Sequence, residues 1–167
     1  MGGSMSRGYI LVLGLLALGC SLAWGATGVA PRDFRGIPWG GSVTDAIVKT
    51  DAAGAGGTVE VYRNRSKELK PFLGVPVSDE AYYFARGKLA GGLLFCRGEG
   101  NFATLKDSLI KLYGPPENPK PEFFSWQWSD TQAILSIAYN RKFQYTTVSM
   151  SSATGAPSGA AVKKKSR

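Results

Sequence analysis

The 167-residue chain contains no histidine. That removes the side chain most often used as a general base, the commonest transition-metal ligand and every histidine-dependent catalytic triad. Cysteine is almost as scarce, with only Cys20 and Cys96, so a zinc site assembled from cysteine and carboxylates is not expected. No apolar run approaches the roughly 20 residues a membrane-spanning helix needs. Acidic residues are missing from the last stretch, 151–167, which carries Lys163, Lys164, Lys165 and Arg167. The residue pattern therefore yields no catalytic residues, no cofactor-binding residues and no metal ligands.

What is present begins at the N-terminus. Arg7 precedes an apolar run of about ten residues, Tyr9 to Leu18, followed by the small-residue stretch Gly19-Cys20-Ser21-Leu22-Ala23-Trp24-Gly25. A positive n-region, a short hydrophobic core and a small-residue exit predict a signal peptide over 1–25. Two exits are open. Cleavage after Gly25 uses Ala23 and Gly25 as the recognition pair and releases a chain starting at Ala26. Alternatively, Ala17-Leu18-Gly19-Cys20 resembles the lipobox of bacterial lipoproteins, with Ala17 where leucine is usual, which implies lipidation at Cys20. Either exit predicts an exported protein, periplasmic or extracellular and bacterial. Outside the cytoplasm nucleotide cofactors and chromosomal DNA are not at hand, so a nucleic-acid partner is not expected.

Without the leader about 142 residues remain, enough for one domain with its own core. A linker over 26–32, one α+β domain over 33–150 and a disordered basic tail over 151–167 follow from composition. The formal charge of +8 is mostly peripheral. Setting aside Arg7 and the four tail cations leaves 15 of the 20 Lys and Arg against all 12 Asp and Glu, a body of only +3. The tail, or a lipidated Cys20, provides for peripheral membrane association. With the leader removed, Cys96 has no partner for an internal disulfide. Its place after Leu93, Leu94 and Phe95 predicts a buried, inert thiol on a core strand.

Periodicity supplies the elements. Ser42 and Asp45 approximate a capping box and Val43, Ala46 and Ile47 share one helical face, which predicts a first helix ending at Gly54 to Gly57. Alternation predicts strands over 58–63, 81–86 and 89–96, the last two joined at Gly87-Lys88. A second helix follows, with Asn101 as N-cap, Phe102, Leu105, Leu109, Leu112 and Tyr113 as its apolar stripe and Gly114-Pro115-Pro116 as its stop. Strands over 123–128, 133–139 and 143–150 complete a meander. The predicted architecture is α+β: two αβββ halves, one antiparallel sheet with two helices on one face, and the other face free.

The opening Phe34-Arg35-Gly36-Ile37-Pro38-Trp39-Gly40 followed by a capped helix resembles a broad set of small exported bacterial proteins of uncharacterised role. Leu105, Leu109, Tyr113, Gly114 and Pro116, with Trp126 and Trp128, extend the likeness across about residues 33–150. The resemblance implies a bacterial periplasmic setting. It implies no site residues, because its motifs are turns, caps and packing positions.

Other motifs carry little chemistry. Ser108 and Lys111 have S-x-x-K spacing but lie deep in a helix, and Ser129-Asp130-Thr131 fails the accompanying S-D-N pattern. Gly98 to Ala103 fits G-x-G-x-x-A, yet Glu99 would repel a phosphate and no parallel βαβ unit follows. Asp79 and Glu80, adjacent at a strand entrance, are expected to be solvated. Phe124, Trp126 and Trp128 share one strand face and Tyr82 with Phe84 another, as core. Tyr83, Phe123 and Tyr145, with Arg63, Arg86 and Lys88 nearby, are the candidate binding surface. The reading is a non-catalytic binding or scaffold module of the cell envelope, contacting an envelope protein or glycan. The alternatives are a lipid-anchored envelope lipoprotein and a small periplasmic hydrolase with its cleft near Gly98 to Asn101. Intact mass of the mature protein separates the exits: a chain starting at Ala26 is expected, and an acylated Cys20 identifies the lipoprotein.

Overall fold

The computed structural model describes residue 26 and residues 28–53 and 58–153. The predicted leader, including Cys20, and the tail beyond Ala153 lie outside the described residues. The described residues are mostly β, 49% strand and 13% helix, with one helix, which overturns the expected two αβββ halves with two helices on one face. Its main sheet has eight antiparallel strands, in the order β3-β4-β5-β6-β10-β9-β8-β7. The first meander is β3 (Ile47–Ala53), β4 (Val59–Asn64), β5 (Asp79–Ala85) and β6 (Lys88–Arg97). The second is β7 (Glu117–Lys120), β8 (Phe123–Trp128), β9 (Ala133–Asn140) and β10 (Tyr145–Ser152). Helix α1 (Glu99–Tyr113) links them, and β1 (Asp33–Phe34) with β2 (Ile37–Pro38) forms a separate two-stranded ribbon.

The first predicted helix is absent because its second half is a strand. Ile47, Val48 and Thr50 are β-branched, and their χ1 stiffness suits a pleated surface better than a helix. Ile47 is buried while Val48 is 42% exposed, the period-two alternation of an edge strand. Pairing of Ile47 with Asn64, Val48 with Arg63 and Lys49 with Tyr62 closes the ladder. The Ser42 and Asp45 cap signal is local, and the long-range ladder outweighs it. Similarly, the Pro-rich run after α1 forms β7. An outermost strand tolerates Pro119, since one edge needs no N–H donor.

The helix that does form begins two residues before Asn101. Gly98 takes the N-cap position with φ 87° and no side-chain cap, and Asn101 Nδ2 instead donates to the Arg97 carbonyl at 2.6 Å. Phe102, Leu105 and Leu109 are buried as the stripe predicts, whereas Leu112 is 51% exposed. The helix packs on β6, β9 and β10.

The rest of the same sheet face is covered by the β1–β2 ribbon and the 65–77 segment, which bring Phe34, Ile37 and Val75 into the core with Tyr82, Phe84, Leu94, Trp126 and Ile137. Phe34 stands edge-on to Tyr82 at 5.1 Å. Its ring occupies the space a side chain at position 92 would fill: a Cβ on Gly92 would lie 2.2 Å from Phe34 Cε1. Phe34 is 1% exposed, so the ring has nowhere to move. Gly92→Ala should therefore destabilise the protein by about 1–3 kcal/mol in denaturant unfolding. The same substitution made on Phe34→Leu should cost less than in the wild type, because the two positions share one volume.

Candidate functional site

Ladder register sorts the side chains of the sheet into two faces. Toward the helix point Glu80, Tyr82, Phe84, Leu94, Cys96 and Val148, and toward the other side point their sequence neighbours. The described segments outside the sheet that contribute to the core, namely the 26–32 segment with buried Ala30, the ribbon, the 65–77 segment and α1, pack on the first face. The second face is left to solvent among the described residues. Phe123 and Ile134 are 38% and 44% exposed on it, with Tyr83, Leu93 and Phe95 half-buried.

Of the six predicted surface residues, Tyr83, Phe123, Tyr145 and Arg63 do fall on this open face by register. They do not form one patch. Phe95, Thr147, Ala138 and Phe123 make a cross-strand row near one end, beside Arg97, Tyr145 and Asn140. Tyr83 belongs to a row nearer the opposite end, with Val61, Gly91, Ser151 and Ile134. A middle row of Ala81, Leu93, Ser149, Ser136 and Ser125 separates them. Arg86 is not in a strand. It shares a two-residue turn with Gly87, both with positive φ (52° and 73°), as a type I′ hairpin requires. Lys88 reaches from the same end to Ser42 Oγ at 3.4 Å.

At the Phe123 end the open face holds a hollow of about 610 Å³ lined by Asp79, Phe95, Arg97, Phe143, Gln144 and Tyr145, with Ser78 and Gly98 at its side. Three rings run through it. Phe143 stacks nearly parallel to Tyr145 (6.2 Å, 17°), and Tyr145 meets Phe95 edge-on (5.9 Å, 68°). Phe143 is 62% exposed. Asp79 is ion-paired with Arg63, and Ser78 Oγ donates to the Phe95 carbonyl at 2.9 Å, so neither is arranged as a base or nucleophile for the other. This hollow lies beside the Gly98 turn where a hydrolase cleft was the alternative expectation. Phe95 and Arg97 are legible in retrospect: if Cys96 points inward, both neighbours point outward.

The second polar centre lies on the covered face and was not anticipated. Glu80, expected in solvent, is 1% exposed. Its Oε2 accepts from Arg35 Nε at 2.8 Å, and its Oε1 accepts from Asn64 Nδ2 at 2.7 Å and from the Tyr82 hydroxyl at 2.6 Å. Arg35 also donates to the Lys70 carbonyl at 2.6 Å. These groups line a cavity of about 580 Å³ with Thr44, Ser66 and Glu68. Every carboxylate oxygen of Glu80 is occupied, so the cluster ties the ribbon and the 65–77 segment to β5. Among the described residues no three Cys, Asp or Glu side chains group to hold a metal ion, and no helix is long and apolar enough to cross a membrane.

The chain matches no protein-family model, no curated protein and no solved structure. The site must therefore be read from its own geometry.

Cys96 is fully buried, and burial pushes its thiol up to about 11. Burial, then the bond to Glu80, raises Tyr82 as well. Both acids resist ionisation only in the folded state, so their contribution is complete below the unfolded thiol value near 9 and is withdrawn as pH climbs toward 11. Denaturant midpoints should hold to about pH 9 and then fall, Cys96 alone withdrawing up to about 2 kcal/mol by pH 11. Cys96→Ala should flatten that alkaline decline. In the folded wild type at neutral pH, iodoacetamide should leave Cys96 unmodified.

Proposed function

We propose that this protein is exported and serves as a non-catalytic binding module of the bacterial cell envelope, contacting an envelope protein or glycan through the open face of its sheet. The carrying observation is the inequality of the two faces. One is sealed by α1, the ribbon and the 65–77 segment, while the other leaves Phe123 and Ile134 well exposed on regular strands. Leaving large apolar groups on a flat surface forfeits the roughly 25 cal/mol per Å² their burial would supply, and contact with a partner recovers it. The leader pattern at 1–25 supports the compartment. The absence of histidine, and the occupied state of Ser78, Asp79 and Glu80, support contact over chemistry.

A photo-crosslinking side chain placed at Phe123 or Ile134 in living cells tests the reading. Adducts at these two positions should exceed by at least tenfold those from a probe at Leu112, which is more exposed than either but sits on the helix. Equal yields at Leu112, or a cytoplasmic product retaining its leader, would overturn it.

A further inference from the structure

We infer that the hollow at the Phe143 end of the open face binds an acidic glycan, a sugar chain bearing carboxylates; this assignment rests on the open-face reading and names the ligand class within it. The ring geometry supplies the first argument. Aromatic faces are electron-rich and attract weakly positive edges, so they suit the axial C–H groups of a sugar ring. Phe143, Tyr145 and Phe95 form a continuous ladder of such surfaces, and the outermost is mostly exposed. The presenting turn is anchored: the Phe143 amide donates to Asn140 Oδ1 at 3.1 Å, and the Gln144 carbonyl accepts from the Gly98 amide at 2.9 Å. Gln144 is held at φ 51°, outside the usual range for a residue with a side chain. The platform is thus built before any ligand arrives, which reduces the ordering cost of binding.

Charge supplies the second argument. Asp79 is the lining acid and is neutralised by Arg63, while the neighbouring Arg141 is paired with Glu122. Arg97 lies opposite Tyr145 in the ladder and has no ion pair among the described residues. Lys142 stands 5.4 Å from the Phe143 ring centre, and it too has no carboxylate partner there. Two uncompensated cations therefore flank the ring ladder, and an anion is the complementary ligand. A guanidinium offers a fork that a carboxylate accepts in bidentate fashion. The volume of about 610 Å³ is in the range of small-ligand sites and admits one or two sugar rings. Ser78 and Gln144 add polar atoms suited to hydroxyl groups.

Calorimetric titration of the mature protein tests this with two carboxylated probes, oligogalacturonate and soluble peptidoglycan strands, beside neutral malto-oligosaccharide and phosphatidylglycerol vesicles. At least one carboxylated probe should bind, at least tenfold more tightly than the neutral sugar, and weaken as salt rises. Arg97→Gln and Phe143→Ala should each reduce that affinity about tenfold or more, the expected scale for losing a charge-assisted hydrogen bond or an aromatic contact. Both residues are exposed, so circular dichroism should be unchanged, and Leu112→Ser on the helix serves as the unaffected control. Equal binding of the neutral sugar, binding of vesicles alone, or indifference to both substitutions would overturn the assignment. If neither carboxylated probe binds while Phe123 still crosslinks, the acidic-glycan assignment falls and the open-face reading survives. Loss of both signals removes both.

Discussion

The β6–β10 ladder is the constraint on which everything else depends. It pairs Arg97 with Tyr145 through Gly91 with Ser151, and it is the one ladder that joins the two meanders. Because β6 and β10 are the last strands of their meanders, the sheet grows outward from this line, and α1 must cross from its middle to the far edge where β7 lies. That crossing lays Phe102, Leu105 and Leu109 on the sheet and decides which face is sealed. A one-residue slip of β6 would turn Leu94 and Cys96 out to solvent and bring Phe95 in, and a slip of β10 would do the same with Val148 and Thr147, so the hydrophobic pattern itself fixes the register.

The second dependence is polar. Helix α1 covers only the middle and second half of the sheet, and the first meander needs another lid. The ribbon provides it, held by the buried Glu80 carboxylate to which Arg35, Asn64 and Tyr82 all donate. Removing one partner of such a pair typically costs 3–5 kcal/mol, because the survivor is left charged and dry, although the intact pair adds little net stability. It fixes the seating of the ribbon in which Phe34 fills the notch at Gly92 and Arg35, at φ 58°, turns back toward Glu80. The F-R-G-I-P-W-G run is thus a packing device. Phe34 and Ile37 fill the core, and Trp39 Nε1 donates to the Pro31 carbonyl at 2.6 Å.

Strands whose side chains alternate over their full length were readable in the sequence. Residues 123–128 form β8 with the predicted bounds, and β4, β5, β6, β9 and β10 lie within about two residues of prediction. The division of Tyr82 and Phe84 from Tyr83 was legible for the same reason, since a period of two leaves no choice once one face is apolar. What could not be read is non-local. Ile47 to Thr50 acquire strand geometry from β4, and Glu80 is buried because Arg35, 45 residues earlier, arrives beside it. Strand parity alone puts Tyr83 on the open face, whereas Arg86, read in sequence as a strand position, lies in the turn with Gly87. Parity also cannot measure distance along a strand, which is why Tyr83 and Tyr145 fall at different ends of the sheet.

On the proposed reading, the electrostatics favour recognition by contact over long-range attraction. A folded body near +3 creates only a weak field, and charges separated by more than about 8 Å are largely screened at physiological salt. Arg63 and Arg141 are already compensated by carboxylates, whereas Arg97 and Lys142, at the ring ladder, have no ion pair among the described residues. Each stands beside an aromatic ring, Arg97 across the ladder from Tyr145 and Lys142 over Phe143. A ligand carrying charge without an apolar face would gain little from two solvated cations, and one carrying an apolar face without charge would leave them unpaired. On the proposed reading, a molecule presenting both within a few ångströms fits the arrangement, the Arg97–Tyr145 spacing being set by the register of β6 against β10 and the Lys142–Phe143 spacing by the turn between β9 and β10.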